Sequence, residues 1–147
     1  MKRILYFLFL LPALMFAACS DDDSSPAVVL SDTVKSFIST KYPGAVITDA
    51  ERTPNGLIEV DVVHDSKKKD IYFTQNDEWV LTEWDVPVAS LPQAAVDGIN
   101  VQYPGYFIDD VDYVQAPAGD YYLVNVEKGN FEKDLKVSLD GTVIDEL

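Results

Sequence analysis

Tyr42-Pro43-Gly44 recurs as Tyr103-Pro104-Gly105, 61 residues further on, and the residues around the two copies match in kind and in spacing. Each copy follows a helix-like stretch and precedes strand-like runs. In the first, Ser31 and Asp32 are placed to cap a helix through Lys41, with Val34, Phe37, Ile38 and Tyr42 on its apolar side. In the second, Pro92 suits a first helical turn, and Ala95, Ile99 and Tyr103 form the apolar stripe. Pro-Gly then stops each helix, because proline cannot continue it and glycine accepts the left-handed backbone that closes it. Self-similarity at a fixed period constrains an architecture before any other feature does, and it predicts a tandem duplication.

The runs after each Pro-Gly alternate as half-buried strands do. Residues 45–51 match 107–113. Leu57-Ile58-Glu59-Val60-Asp61-Val62 matches Tyr121-Tyr122-Leu123-Val124-Asn125-Val126, now 64 residues apart, so the second turn carries three extra residues. Asp70-Ile71-Tyr72-Phe73 matches Asp134-Leu135-Lys136-Val137, and Asn76-Asp77 matches Asp140-Gly141. Asp-Gly between strand-like runs is a strong hairpin signature. The expected fold class is therefore α+β: a tandem repeat of one helix plus a four-stranded antiparallel meander, with the helices packed on one face of the sheet. Repeat one is expected over 28–86 and repeat two over 87–147. A unit of about 60 residues is marginal alone, so the two should join into one body.

Residues 1–18 read as a secretory leader. Met1-Lys2-Arg3 is basic, residues 4–18 are apolar, and Cys19 follows Ala17-Ala18. The run is shorter than the roughly 20 residues a membrane-spanning helix needs. Its end resembles a bacterial lipoprotein box, with Phe16 departing from the usual leucine. Cys19 is the sole cysteine and stands where lipidation needs it. A membrane attachment through lipid on Cys19 is expected, followed by an acidic tether over 19–27. The cluster Asp21-Asp22-Asp23 resembles the surface-export signal of some Gram-negative lipoproteins. On that reading the protein is an outer-membrane lipoprotein at the cell surface. A plain spacer leaves it on the periplasmic face.

The chain carries 11 Lys and Arg against 25 Asp and Glu. Loss of Lys2 and Arg3 with the leader leaves 9 − 25 = −16. Nucleic acid is excluded as a partner, because phosphate contacts need clustered basic residues. The one basic run, Lys67-Lys68-Lys69, reads as a hairpin turn. With Cys19 acylated, no thiol remains for a disulfide, a Cys-based zinc site or a Cys nucleophile.

The helix-Tyr-Pro-Gly units, the strand cores Val60-Asp61-Val62 and Val124-Asn125-Val126, and the hairpins over 73–79 and 137–143 resemble the PepSY-like family. Its tandem form shares the fold of the beta-lactamase-inhibitor proteins. The resemblance spans roughly residues 28–147. It implies an antiparallel sheet with helices on one side and a recognition surface, but not lactamase inhibition, for which no loop is present.

Little is left over for chemistry, and no catalytic residue, metal site or cofactor is expected. His64 is the lone histidine and reads as an exposed residue at a turn edge, without a Gly-x-Ser-x-Gly companion. Asp109, Asp110 and Asp112 lack the spacing of a calcium loop and read as edge positions that discourage aggregation. The residues that remain share the second sheet face. Alternation assigns to it Leu57, Glu59, Asp61 and Tyr72 from repeat one and Tyr121, Leu123, Asn125 and Lys136 from repeat two. Trp79 and Trp84 have opposite parity, so one of them should share that face. An open face with aromatics among polar groups suits a protein or peptide partner. Aromatics that stack on sugar rings offer the alternative, a glycan-binding or glycan-processing lipoprotein.

Overall fold

A computed structural model describes residues 28–147 of the chain. The expected leader (1–18), the lipidation residue Cys19 and the whole of the expected tether (19–27) lie outside the described residues. Ten elements of helix and strand follow in chain order: α1 (Asp32–Lys41), β1 (Val46–Arg52), β2 (Ile58–His64), β3 (Lys67–Phe73), β4 (Trp79–Asp85), α2 (Gln93–Gln102), β5 (Phe107–Gln115), β6 (Tyr121–Lys128), β7 (Phe131–Ser138) and β8 (Val143–Glu146). A single 3-10 turn, Val88–Ser90, leads into α2. The strands form one eight-stranded antiparallel sheet in sequential order from β1 to β8. The fold class is thus α+β, with two helices on one sheet.

Both helices lie on the same face. Val34, Ile38 and Tyr42 of the first helical segment pack on Ile58, Val60, Val62, Ile71 and Phe73. Leu91, Ala95 and Ile99 pack on Val111, Val124, Val126, Leu135 and Val137. The two patches connect across the middle of the sheet, where Ile71 pairs with Thr82, Thr82 with Gln115, and Trp84 with Tyr113. These side chains share the helix-facing parity. Ser31 caps α1, its Oγ accepting from the Val34 N–H at 3.1 Å. Pro92 stands at the equivalent boundary of α2, where it makes no side-chain cap and its fixed φ suits helix entry.

The second half repeats the register of the first. Val60 opposes Ile71 and Val124 opposes Leu135, 64 residues on. The registers also break at corresponding places, between Tyr72 and Phe73 and between Lys136 and Val137.

One expectation needs correction here. Lys67-Lys68-Lys69 is not a turn but the start of β3, with Lys67 paired to His64. The turn is Asp65-Ser66, both at positive φ of 52° and 62°. A two-residue loop of this kind carries the twist that joins adjacent antiparallel strands without extra length. The basic run therefore alternates across the sheet, and Lys69 lands on the helix-facing side opposite Val62.

Gly141 shows how tightly α2 sits on the sheet. Its φ is +94°, and an added Cβ would lie 2.7 Å from the Ala95 nitrogen. Gly44 has a comparable φ of +83° with nothing within 4 Å. Gly44→Ala should therefore cost only the left-handed penalty of about 1–2 kcal/mol. Gly141→Ala should cost more, about 3 kcal/mol, because backbone must also move. Urea midpoints compare them directly; equal losses would show that α2 is not held against that turn.

Candidate functional site

The face without helices carries an unusual pattern of charge. Asp49 opposes Asp61, Asp61 opposes Asp70, and Asp70 opposes Glu83. Four acids thus stand in one row across β1 to β4. Like charges directly opposite one another in a sheet repel, so such a row disfavours folding. A second pair, Asp85 opposite Asp112, continues the acidity across the β4–β5 seam.

Beside the row lies an apolar patch built from strands and turns alone. Tyr72, Leu81, Val114, Tyr121 and Leu123 form it, with Leu57, Val80 and Ala116 at its margin. Tyr72 and Tyr121 are each 8% exposed and Leu123 6%. The expectation of open aromatics on this face is corrected: the tyrosines and Leu123 pack against one another across adjacent strands. Alternation supplies the face of a side chain, but cross-strand packing sets its exposure.

The remaining expected partner-binding residues fall as follows. Leu57, Glu59 and Asp61 are half-buried on this face, where Glu59 opposes Tyr72. Asn125 is buried, and its Nδ2 donates to Asp134 Oδ1 at 2.7 Å while its Oδ1 accepts from no group. The Lys136 ammonium lies 4.1 Å from the centre of the Tyr121 ring.

Trp79 and Trp84 are not on this face at all. The register break after Tyr72 places Trp79 opposite Phe73, on the helix-facing side, while Val80 and Leu81 both turn to the other side. A bulge adds one residue and so reverses the parity expected from counting. Trp79 packs on Phe37 of α1 and donates from Nε1 to Thr82 Oγ1 at 3.0 Å. Trp84 stacks on Tyr113. Neither tryptophan offers the helix-free face a surface for stacking on sugars.

Burial and repulsion shift the acids. Glu83 is 8% exposed; desolvation, opposed by the Tyr72 hydroxyl that donates to Oε1 at 3.1 Å, leaves its carboxyl raised to about 7. Its Oε2 is buried and accepts from no group. Asp112 is pushed well above the usual carboxylate range by burial, by a carboxyl–carboxyl hydrogen bond with Asp85, and by the charges of Glu83, Asp85 and Asp110. Burial and the Glu83 charge push the Tyr72 hydroxyl up in turn, keeping it a donor. The reading of Asp109, Asp110 and Asp112 as edge residues is corrected for Asp112, which is paired on both sides by Asp85 and Leu123. β4 pairs only residues 112–115, so Asp109 and Asp110 lie beyond that ladder.

Two carboxylate triads are close enough to share a cation: Glu59, Asp61 and Asp70, and Asp85, Asp110 and Asp112, each with oxygens within 4.8 Å of one another. Three carboxylates supply three to six of the roughly six to eight oxygens that calcium takes, so water or carbonyl oxygens would have to complete such a site. The same geometry can receive a lysine or arginine side chain. His64 is not the exposed residue expected: its side chain is 17% exposed and its ring stands 5.6 Å from that of Tyr42, with Asp65 Oδ2 at 3.5 Å from Nδ1. No serine lines the cleft around it. Sequence reasoning missed Asp49, Asp70 and Glu83, although the alternation that assigned Asp61 and Tyr72 also assigns Asp70.

Comparison with known proteins agrees with the architecture. The family profile described as "Putative beta-lactamase-inhibitor-like, PepSY-like" matches residues 58–145. A BLIP-like protein from Bacteroides fragilis superposes with a TM-score of 0.72 at 24% identity, over 86% of this chain and 91% of that one. A DUF2874 family protein from Bacteroides uniformis gives 0.69 at 18% identity, over 81% and 89%. A structure from Bacteroides eggerthii described as "putative periplasmic proteins" gives 0.67 at 20%, over 82% and 89%. These likenesses show the fold. No curated protein matches.

The Glu83 carboxyl has an ordinary value of 4.5 and is raised to about 7 in the fold. Between those values the folded chain binds more protons than the unfolded one, so stability falls as pH rises through that window. The wild type should lose about 1–3 kcal/mol between pH 5 and pH 8, and Glu83→Gln should lose distinctly less. Urea titrations at both pH values decide it. A wild type equally stable at pH 8, or a Glu83→Gln variant with an unchanged slope, refutes the assignment.

Proposed function

The chain belongs to the PepSY-like, beta-lactamase-inhibitor-like family, and from that premise we propose that it is a non-catalytic binding module of the cell envelope whose helix-free sheet face takes a cationic protein or peptide segment. The observation that carries this reading is the row Asp49, Asp61, Asp70 and Glu83. A basic segment laid across the row would relieve its repulsion, and would ionise Glu83 by supplying the opposite charge that burial denies it. The partly buried margin of the adjacent patch, Leu57, Val80 and Ala116, offers apolar area for the same segment. Asn125 and Lys136 at the far side set polarity and limit the charge a partner can carry there.

Two finer elements belong to this reading. The matching registers and register breaks of the two halves support descent from a duplicated helix-plus-four-strand unit, with halves 28–86 and 87–147. The residues around Cys19 support a lipid anchor there, with 19–27 as the tether and the outer membrane as the address. Metabolic labelling with a radioactive fatty acid should mark the wild type and leave Cys19→Ala unlabelled; label retained in that variant refutes the anchor.

The binding reading is tested with a fluorescent oligolysine peptide. Binding to the full-length chain should weaken several-fold between about 50 and 200 mM salt, as screened charge pairs do. Asp61→Asn with Asp70→Asn should weaken it about ten-fold, because both remove charge from the row. Equal binding by the double variant refutes the face as the site.

A further inference from the structure

On the opposite, helix-facing side, a cleft of about 380 Å³ opens between the end of α1, the β2–β3 hairpin and the middle of the sheet. Lys41, Lys67 and Lys69 line it with His64, Tyr42, Trp84 and Gln115, and Asp65 is the sole acid among them. The described residues carry nine Lys and Arg in a chain of 25 acids, so three cations around one acid is a concentration. Lys69 is 7% exposed. Its ammonium lies 3.1 Å from the centre of the Trp84 ring and 5.6 Å from that of Tyr42.

The second half of the fold shows what this geometry holds. Lys69 opposes Val62 and Lys133 opposes Val126, 64 residues on. Tyr42 and Tyr103 each follow the last residue of a ten-residue helix. The Lys133 ammonium lies 5.9 Å from the Tyr103 ring, close to the 5.6 Å between Lys69 and Tyr42. Between Tyr103 and Lys133 sits a carboxylate. Tyr103 donates to Glu146 Oε2 at 3.1 Å, and Lys133 forms an ion pair with Glu146 Oε1. Glu146 opposes Leu135; the equivalent position opposite Ile71 is Thr82. Thr82 is fully buried and carries no carboxylate; its hydroxyl accepts from the Trp79 ring and donates to the Tyr42 oxygen. Tyr42 donates instead to the uncharged Gln115 Oε1 at 2.8 Å. The first half keeps the tyrosine and the lysine and lacks the acid.

We propose that this cleft binds the carboxylate of an external ligand, held by Lys69 and Tyr42 as Lys133 and Tyr103 hold that of Glu146. Rotation of Gln115 frees the Tyr42 hydroxyl, and Lys67 and Lys41 add charge at the mouth. The two lysines differ as this requires. The Glu146 partner raises Lys133, whereas desolvation, then Lys67, with Asp65 opposing, leaves Lys69 lowered to about 8. A bound carboxylate restores the missing partner. The site is independent of the acidic face, and the carboxylate can come from an acidic peptide side chain or from a uronic acid.

The test is an NMR titration of the full-length chain in non-ionic detergent, following the Lys69 side chain and the Trp84 indole. The probes are N-acetyl-glutamyl amide, methyl glucuronide and the neutral N-acetyl-glutaminyl amide. Both carboxylates should give saturable shifts confined to the cleft and raise the Lys69 pKa by about one unit. Lys69→Gln should weaken binding at least ten-fold, and the exposed Lys67→Gln, which leaves the fold intact, two- to four-fold. Lys35→Gln, on the outer side of α1, should change nothing. Tighter binding of the glutamyl probe identifies a peptide source, and tighter binding of the glucuronide a glycan source. Absence of saturable shifts, equal binding of the glutaminyl amide, or affinities unchanged in both lysine variants of the cleft overturns the proposal.

Discussion

Four residue pairs, from Thr82–Gln115 to Asp85–Asp112, join the two halves of the molecule into one sheet. Each half buries a single short helix on four strands, and its core is correspondingly thin. The β4–β5 ladder lets the two thin cores share one face and makes the helix-free face continuous. The apolar patch on that face spans the seam, drawing Tyr72 and Leu81 from one half and Val114, Tyr121 and Leu123 from the other. The cleft on the helix side crosses it too, since Gln115 belongs to β5 and the other lining residues to the first half. Both candidate sites depend on the same short stretch of pairing.

The two faces differ in charge as well as in cover. One carries a cross-strand row of acids, the other a cluster of lysines over aromatic rings. Strict alternation makes this segregation possible. In Lys67-Lys68-Lys69-Asp70, Lys67 and Lys69 turn toward the helices, while Lys68 and Asp70 turn toward the acids. A net charge alone describes neither face. The acidic excess is spread over the whole surface, but the row concentrates it on one face, where acids oppose acids from β1 to β4.

Much of this was legible in the chain. The repeated Tyr-Pro-Gly, the helix caps and the alternating runs correctly predicted the two helices, the strands and the face on which Ile58, Val60 and Val62 lie. The misreadings came where local geometry departs from regular counting. One extra residue at Val80 reversed the parity of Trp79 relative to Trp84. The Asp65-Ser66 turn took fewer residues than a basic run suggested, and so moved three lysines onto a strand. Burial was the other blind spot: Tyr72 and Tyr121 are on the predicted face, yet their exposure depends on neighbours brought in from β4, β5 and β6.

By itself, the sequence determined the periodicities, and with them the fold class and the face of most strand residues. These follow from steric rules local to a few residues: 3.6 per helical turn, two per strand, and the backbone freedom of proline and glycine. Only the tertiary structure decided which acids stand side by side, which aromatics are covered, and that Lys69 lacks the carboxylate its counterpart Lys133 has. Those are relations between residues distant in the chain, set by register and bulges, and the chain's local pattern does not encode their distances.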